Sequence, residues 1–214
     1  MRRVVIVTGG SFEPELLGQL QEGDWLIGAD RGALHLIEHG FRPKLAVGDF
    51  DSISERELEQ VREGSEKWLT CDPIDKNETD TELAFRHALA WEPDEVVIMG
   101  ALGTRFDHSL ANVHVLVEGT ERNVRCRLLD THNQIWLVKD ELHLQRADCS
   151  HFSYISLLPL TWTVTGIDLE GFEYPLHNAT LKIGQSLGIS NRLQKDEAFV
   201  RLRDGLLLVI QSRD

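Results

Sequence analysis

Short apolar runs alternate with amphipathic stretches through roughly the first 120 residues. Val4–Val7, Trp25–Ala29, Leu45–Val47, Lys67–Cys71 and Glu95–Met99 read as strands. Between them, Glu13–Leu20, Gly32–His39, Ser54–Arg62, Asp80–Trp91 and Ser109–Glu118 space their apolar residues at helical intervals. Strands alternating with helices predict βαβ units on a mainly parallel sheet. Ser54…Glu57 and Thr79…Glu82 match the capping box and place two helix starts. From about Val124 the pattern changes. Val124–Leu129 and Gln134–Val138 flank Asp130-Thr131-His132-Asn133 as a hairpin. Tyr154–Leu158, Thr161–Thr165, Ala179–Ile183, Ala198–Leu202 and Leu206–Ile210 follow as strands. Asp204-Gly205 between the last two is a hairpin signal. No helical pattern appears after Glu118. The fold class expected is α/β: an N-terminal open, mainly parallel α/β sheet domain over residues 1–123, then an all-β sandwich domain over residues 124–214.

The formal net charge of −13 argues against nonspecific binding to nucleic acid or an anionic membrane, because both need a basic face. Three widely spaced cysteines, Cys71, Cys126 and Cys149, form no CxxC pair. They are expected as buried small apolar residues rather than as a zinc site or disulfide framework. The apolar run after Arg2-Arg3 ends at Gly9-Gly10, too short for a signal-peptide core. No stretch approaches the ~20 apolar residues of a membrane span. A cytoplasmic protein is expected.

Candidate chemistry collects after the strands, where ligands bind in open parallel sheets. The third strand leads into Gly48-Asp49-Phe50-Asp51-Ser52. Two carboxylates two residues apart on an extended segment project from one side, roughly 6–7 Å apart. Unpaired, they repel and tend to take up protons. A divalent ion removes that conflict, and magnesium is held by one or two carboxylates plus waters and phosphates. The alternative is a plain turn, since Asp, Gly and Ser are turn residues. The first strand ends in Thr8-Gly9-Gly10-Ser11 and the second in Asp30. The fourth leads to Lys76 and Asp80, the fifth to Gly100-Ala101-Leu102-Gly103-Thr104-Arg105-Phe106-Asp107-His108. Asp30 reads either as a helix cap or as part of an acidic rim. Asp80 favours the helix dipole whether or not it is also a ligand. Lys76 contacts a phosphate or balances nearby acids. Arg105 clamps a phosphate or pairs with Asp107. Four aspartates, a lysine and an arginine on one rim favour metal-assisted phosphoryl chemistry. No serine-nucleophile elbow or HExxH motif competes with that reading.

Six segments in order resemble the thiamin pyrophosphokinase family. They are Gly28-Ala29-Asp30-Arg31-Gly32-Ala33, Val47–Ile53, Lys76-Asn77-Glu78-Thr79-Asp80-Thr81-Glu82-Leu83, Gly100–His108, Gly171-Phe172-Glu173-Tyr174-Pro175-Leu176 and Gly188-Ile189-Ser190-Asn191. The resemblance implies transfer of diphosphate from ATP to the hydroxyl of thiamin, giving AMP and thiamin diphosphate. It implies a homodimer whose active site lies between the α/β domain of one subunit and the sandwich of the other. Asp49, Asp51 and Asp80 resemble the magnesium and diphosphate centre, with Asp30 beside them and Lys76 near the phosphates and the thiamin hydroxyl. Thr104, Arg105 and Asp107 fall in a loop resembling the nucleotide-contacting segment. Ser190, Asn191 and Tyr174 resemble the sandwich's part of the thiamin pocket. Animal members tend to have Asp-Gly-Gly at Asp30-Arg31-Gly32, Trp at Tyr174 and Gln at Lys76. The rival readings are a metal-dependent phosphohydrolase on another phosphate ester and a non-catalytic nucleotide- or thiamin-sensing module.

Overall fold

A computed structural model describes residues 1–70, 78–149 and 151–214. The chain forms two compact units, Met1–Thr131 and His132–Asp214. In the first, β1 (Arg3–Val7), β2 (Trp25–Ala29), β3 (Leu45–Gly48), β4 (Trp68–Thr70), β5 (Glu95–Met99) and β6 (Arg125–Leu129) lie in the order β4-β3-β2-β1-β5-β6. All five neighbouring pairs are parallel. Every residue of β1, β3 and β5 is buried. Such near-continuous apolar runs are what a parallel sheet covered on both faces requires. The helices are α1 (Arg31–Glu38), α2 (Glu55–Gly64), α3 (Asp80–Ala90) and α4 (Phe106–Glu121). Ala33 and Leu34 of α1, Ala46 of β3, Val61 of α2 and Phe50 form one apolar cluster. That cluster ties the turn after β3 to the core.

Two expectations in this unit change. Glu13–Leu20 is not an α-helix but a 3-10 turn at Pro14–Gln19. Glu13 gives no side-chain cap and only Leu16 is buried, so despite Pro14 at its first position the segment has neither a capping side chain nor an apolar stripe long enough to hold a helix. Residues 125–129 pair parallel with β5, Val96 opposite Cys126 and Ile98 opposite Leu128. The first unit therefore runs to Thr131 where a division at 123/124 was expected. The cause is burial: Cys126, Leu128 and Leu129 are 2%, 0% and 5% exposed, and α4 delivers the chain back to the sheet as one more βαβ step.

The second unit is a sandwich of two antiparallel layers. One has the order β7 (Asn133–Val138), β13 (Leu207–Ser212), β9 (Tyr154–Pro159). The other has the order β11 (Leu176–Lys182), β10 (Thr163–Glu170), β12 (Glu197–Arg201), β8 (Glu141–Gln145). Ile155, Leu157, Leu207 and Val209 from the first layer share a core with Val164, Ile167, Leu169, Leu181 and Val200 from the second. Asp204-Gly205 does not close a hairpin. It carries the chain from β12 in one layer to β13 in the other, held by Thr165 N–H to Asp204 C=O at 2.9 Å and Arg203 N–H to Thr165 C=O at 2.9 Å. Among the described residues no helix follows α4, and no helix is long and apolar enough to cross a membrane.

Candidate active site

The site begins where β2 ends. Asp30 occupies the N-cap position of α1, yet its φ of 50° is left-handed and its side chain makes no cap bond. The carboxylate turns to Ser52, whose hydroxyl donates to Asp30 Oδ2 at 2.6 Å. Oδ1 is buried and has no hydrogen-bond partner among the described residues. Such an orphaned carboxylate oxygen is costly unless something binds it. β3 reaches Asp30 only because residue 48 is glycine: a Cβ there would lie 3.1 Å from Asp30 N and Cα. Asp30 N–H donates to Val47 C=O at 2.9 Å, which fixes the two strand ends together.

Phe50 organises the rest. It is 4% exposed and adopts φ 57°, a conformation that costs an aromatic residue and is retained here by core packing. Asp49 and Asp51 flank it, with Asp51 N–H to Asp49 Oδ1 at 3.3 Å. Carboxylate oxygens of Asp30, Asp49 and Asp51 all lie within 4.8 Å of one another. Burial pushes the Asp30 carboxyl above the usual range, the charges of Asp80 and Asp49 add to that, and the Ser52 hydroxyl and Arg31 backbone N–H oppose it. Three converging carboxylates, one with an unpartnered buried oxygen, fit a hard divalent cation of the magnesium type.

Beside the cluster lies a cavity of about 480 Å³. Thr8–Ser11, Asp30, Arg31, Ser52, Asp80 and Gly100–Arg105 contribute to its walls. The two glycine-bearing loops touch: a Cβ on Gly10 would fall 2.2 Å from Gly100 C=O, and Thr8 Oγ1 donates to that same carbonyl at 2.7 Å. Asn112 on α4, 7% exposed, donates to Ala101 C=O at 2.7 Å and holds the second loop. Asp80 is the first residue of α3, after Thr79, whose Oγ1 accepts Glu82 N–H at 3.2 Å. The close carboxylate cluster thus contains Asp30 with Asp49 and Asp51, while Asp80 lines the cavity. Thr104 and Arg105 line it too. Arg105 is bound to Asp107 by bonds of 2.7 and 3.4 Å, which hold the Asp107 carboxyl below its usual range. Lys76 lies outside the described residues.

In the sandwich, Asn191 is 6% exposed and spends its side chain on backbone. Its Oδ1 accepts Tyr174 N–H at 3.0 Å and Arg192 N–H at 2.8 Å, and its Nδ2 donates to Tyr174 C=O at 2.7 Å. Asn191 therefore fixes the backbone that carries the Tyr174 ring, which is 61% exposed. Ser190, exposed at φ 59°, donates its N–H to Ser156 Oγ at 3.1 Å.

Residues 18–128 match the family model described as "Thiamin pyrophosphokinase, catalytic domain", and residues 141–207 match "Thiamin pyrophosphokinase, vitamin B1 binding domain". The chain belongs to the thiamin pyrophosphokinase family. The thiamine pyrophosphokinase of Bacillus subtilis (strain 168) is 34% identical over 217 residues, covering all of both chains. The crystal structure of thiamine pyrophosphokinase from Bacillus subtilis superposes with a TM-score of 0.90 at 33% identity, again covering both chains fully. That of thiamin pyrophosphokinase from Geobacillus thermodenitrificans gives 0.88 at 30%, covering 99% of this chain and 98% of that one. The carboxylate cluster falls within the match to the catalytic domain, and Tyr174, Ser190 and Asn191 fall within the match to the vitamin B1 binding domain. Arg31 and Ser52 lie in segments that the sequence singles out but carry no assigned role there, and Asn112 lies outside those segments. Arg31 and Ser52 adjoin Asp30 and Asp51 in sequence, which was the available signal. Nothing local marks Asn112, whose role depends on where α4 packs.

Proposed function

We propose that this member of the thiamin pyrophosphokinase family transfers the diphosphate of ATP to the hydroxyl of thiamin, releasing AMP, with magnesium at the acidic cluster. The observation that carries the reading is the convergence of Asp30, Asp49 and Asp51 within 4.8 Å beside a cavity, in the part of the chain that matches the catalytic domain. Those three carboxylates would hold the ion, and Asp80 would face the phosphates across the cavity. A bound magnesium ion supplies charge neutralisation on the phosphate oxygens.

The chain's own residues supply position. The Thr8–Ser11 and Gly100–Arg105 loops line the space the phosphates would occupy, and the thiamin hydroxyl, giving up its proton, attacks the β-phosphorus in line as the bond to the AMP oxygen breaks. Tyr174 offers an exposed aromatic face that suits a cationic thiazolium, and Ser190 precedes Asn191, which bonds the Tyr174 backbone. The proposal includes a homodimer in the cytoplasm, with each site completed by the sandwich of the partner copy. The test is incubation with ATP, magnesium and thiamin. AMP formed in step with thiamin diphosphate supports transfer; phosphate release that ignores thiamin sinks it in favour of a hydrolase.

A further inference from the structure

A polyphosphate entering this cavity brings several negative charges to a chain of net charge −13 with three carboxylates at the cavity's edge. Cationic side chains must offset that repulsion in addition to any metal. Two arginines line the cavity among the described residues. Arg105 is already paired with Asp107 at 2.7 Å. Arg31 is in a different condition. It is exposed, follows Asp30 directly, and makes no side-chain hydrogen bond or ion pair among the described residues. Glu57 spends its carboxylate on Ser54 N–H and the Ser54 hydroxyl, both at 2.7 Å, and both Glu57 and His35 feel Arg31 through its charge without bonding it. A Cβ on Gly9 would lie 3.0 Å from the Arg31 Cβ, so the arginine leaves α1 alongside the glycine-bearing loop after β1.

We propose that Arg31 is a substrate-binding residue that grips the polyphosphate chain of the nucleotide through its guanidinium. The fork presents parallel N–H donors that match phosphate oxygens in pairs, and an arginine without a carboxylate partner gives up no existing bond to do so. The inference rests on the proposed function only in taking a nucleoside triphosphate as the ligand of this cavity.

Calorimetric titration with magnesium–ATP in the absence of thiamin tests it on wild type, R31A and R31K, alongside adenosine followed by ligand-observed NMR. R31A is expected to weaken ATP binding by about tenfold or more while adenosine binding holds, and R31K to recover only part of the loss, since ammonium lacks the fork. Equal melting temperatures of the three proteins show that the fold is intact. ATP affinity unchanged in R31A overturns the proposal, as does an equal loss of ATP and adenosine, which marks a structural role. Wild-type protein that fails to bind ATP overturns it as well. Wild-type protein that binds ATP but forms no thiamin diphosphate overturns the proposed function and leaves the role of Arg31 standing.

Discussion

Asp30 shows what the site costs the fold. A carboxylate in a left-handed backbone conformation, with one oxygen buried and unpartnered, is poor for stability and well suited to a cation. Its folded pKa lies above the ordinary value, so the folded chain holds that proton to higher pH than the unfolded chain does. Ionisation therefore costs the metal-free protein stability; the cost is absent below the unfolded pKa of about 3.9 and sets in as pH rises through the folded value. Asp30→Asn is expected to raise Tm in EDTA at pH 7 and to give little gain at about pH 3.5, below the unfolded pKa. Magnesium is expected to raise the Tm of wild type, and that rise should disappear in the same variant. Thermal melts with and without magnesium at both pH values check this, and a D30N protein that melts lower at pH 7 in EDTA contradicts it. Cys126 shows the same physics away from the site. Burial, with the Glu95 charge adding, pushes its thiol up to about 12. Native protein treated with iodoacetamide at pH 8 should leave Cys126 unmodified by peptide mapping until denaturant is added.

Among the elements, α2 is set by its first four residues. Ser54 accepts Glu57 N–H while the Glu57 carboxylate accepts Ser54 N–H, a complete capping box that was legible in the sequence as Ser54…Glu57. Ser54→Ala is expected to cost about 1 kcal/mol, read as a drop in Tm of roughly 2–4 °C. The Ser54 hydrogen bonds hold the Glu57 carboxyl below its usual range, so its contribution is present above the unfolded pKa and is lost as pH falls through the folded one. Melting curves of Glu57→Gln and wild type should differ at pH 7 and converge in acid. Capping, periodicity and buried runs made most elements readable because they are local. Gly166, with φ 67°, breaks the register of β10 after Thr165, and the strand expected over 161–165 runs from Thr163 to Glu170. β8 went unread because Leu144 is its one buried residue. Asp204-Gly205 has hairpin chemistry, but which layer a strand joins depends on the core it meets.

For the whole molecule, the rim at the strand ends could be read from topology alone, because a parallel sheet gathers the loops after its strands. The partners within that rim could not. Ser52 meets Asp30 across 22 residues, and only the approach of β3 to β2 through Gly48 makes the pair. A similar limit applies to specificity, which the proposed function assigns to a surface of the second unit. Tyr174, Leu187 and Ile189 in that unit are 61%, 66% and 43% exposed, apolar area of the kind the proposed dimer would need to cover. If each site takes its carboxylates from one copy and its Tyr174 and Ser190 from the other, damage to the two regions complements. D49N removes the first contribution, and a Y174A/S190A double variant the second. Each alone should be a dimer by sedimentation and show little thiamin diphosphate formation. Co-expressed with separable tags, the isolated mixed dimer contains one site with both contributions intact, so activity returns. A mixed dimer as inactive as its parents would place both contributions on the same chain, and sedimentation as a fully active wild-type monomer would remove the shared site altogether.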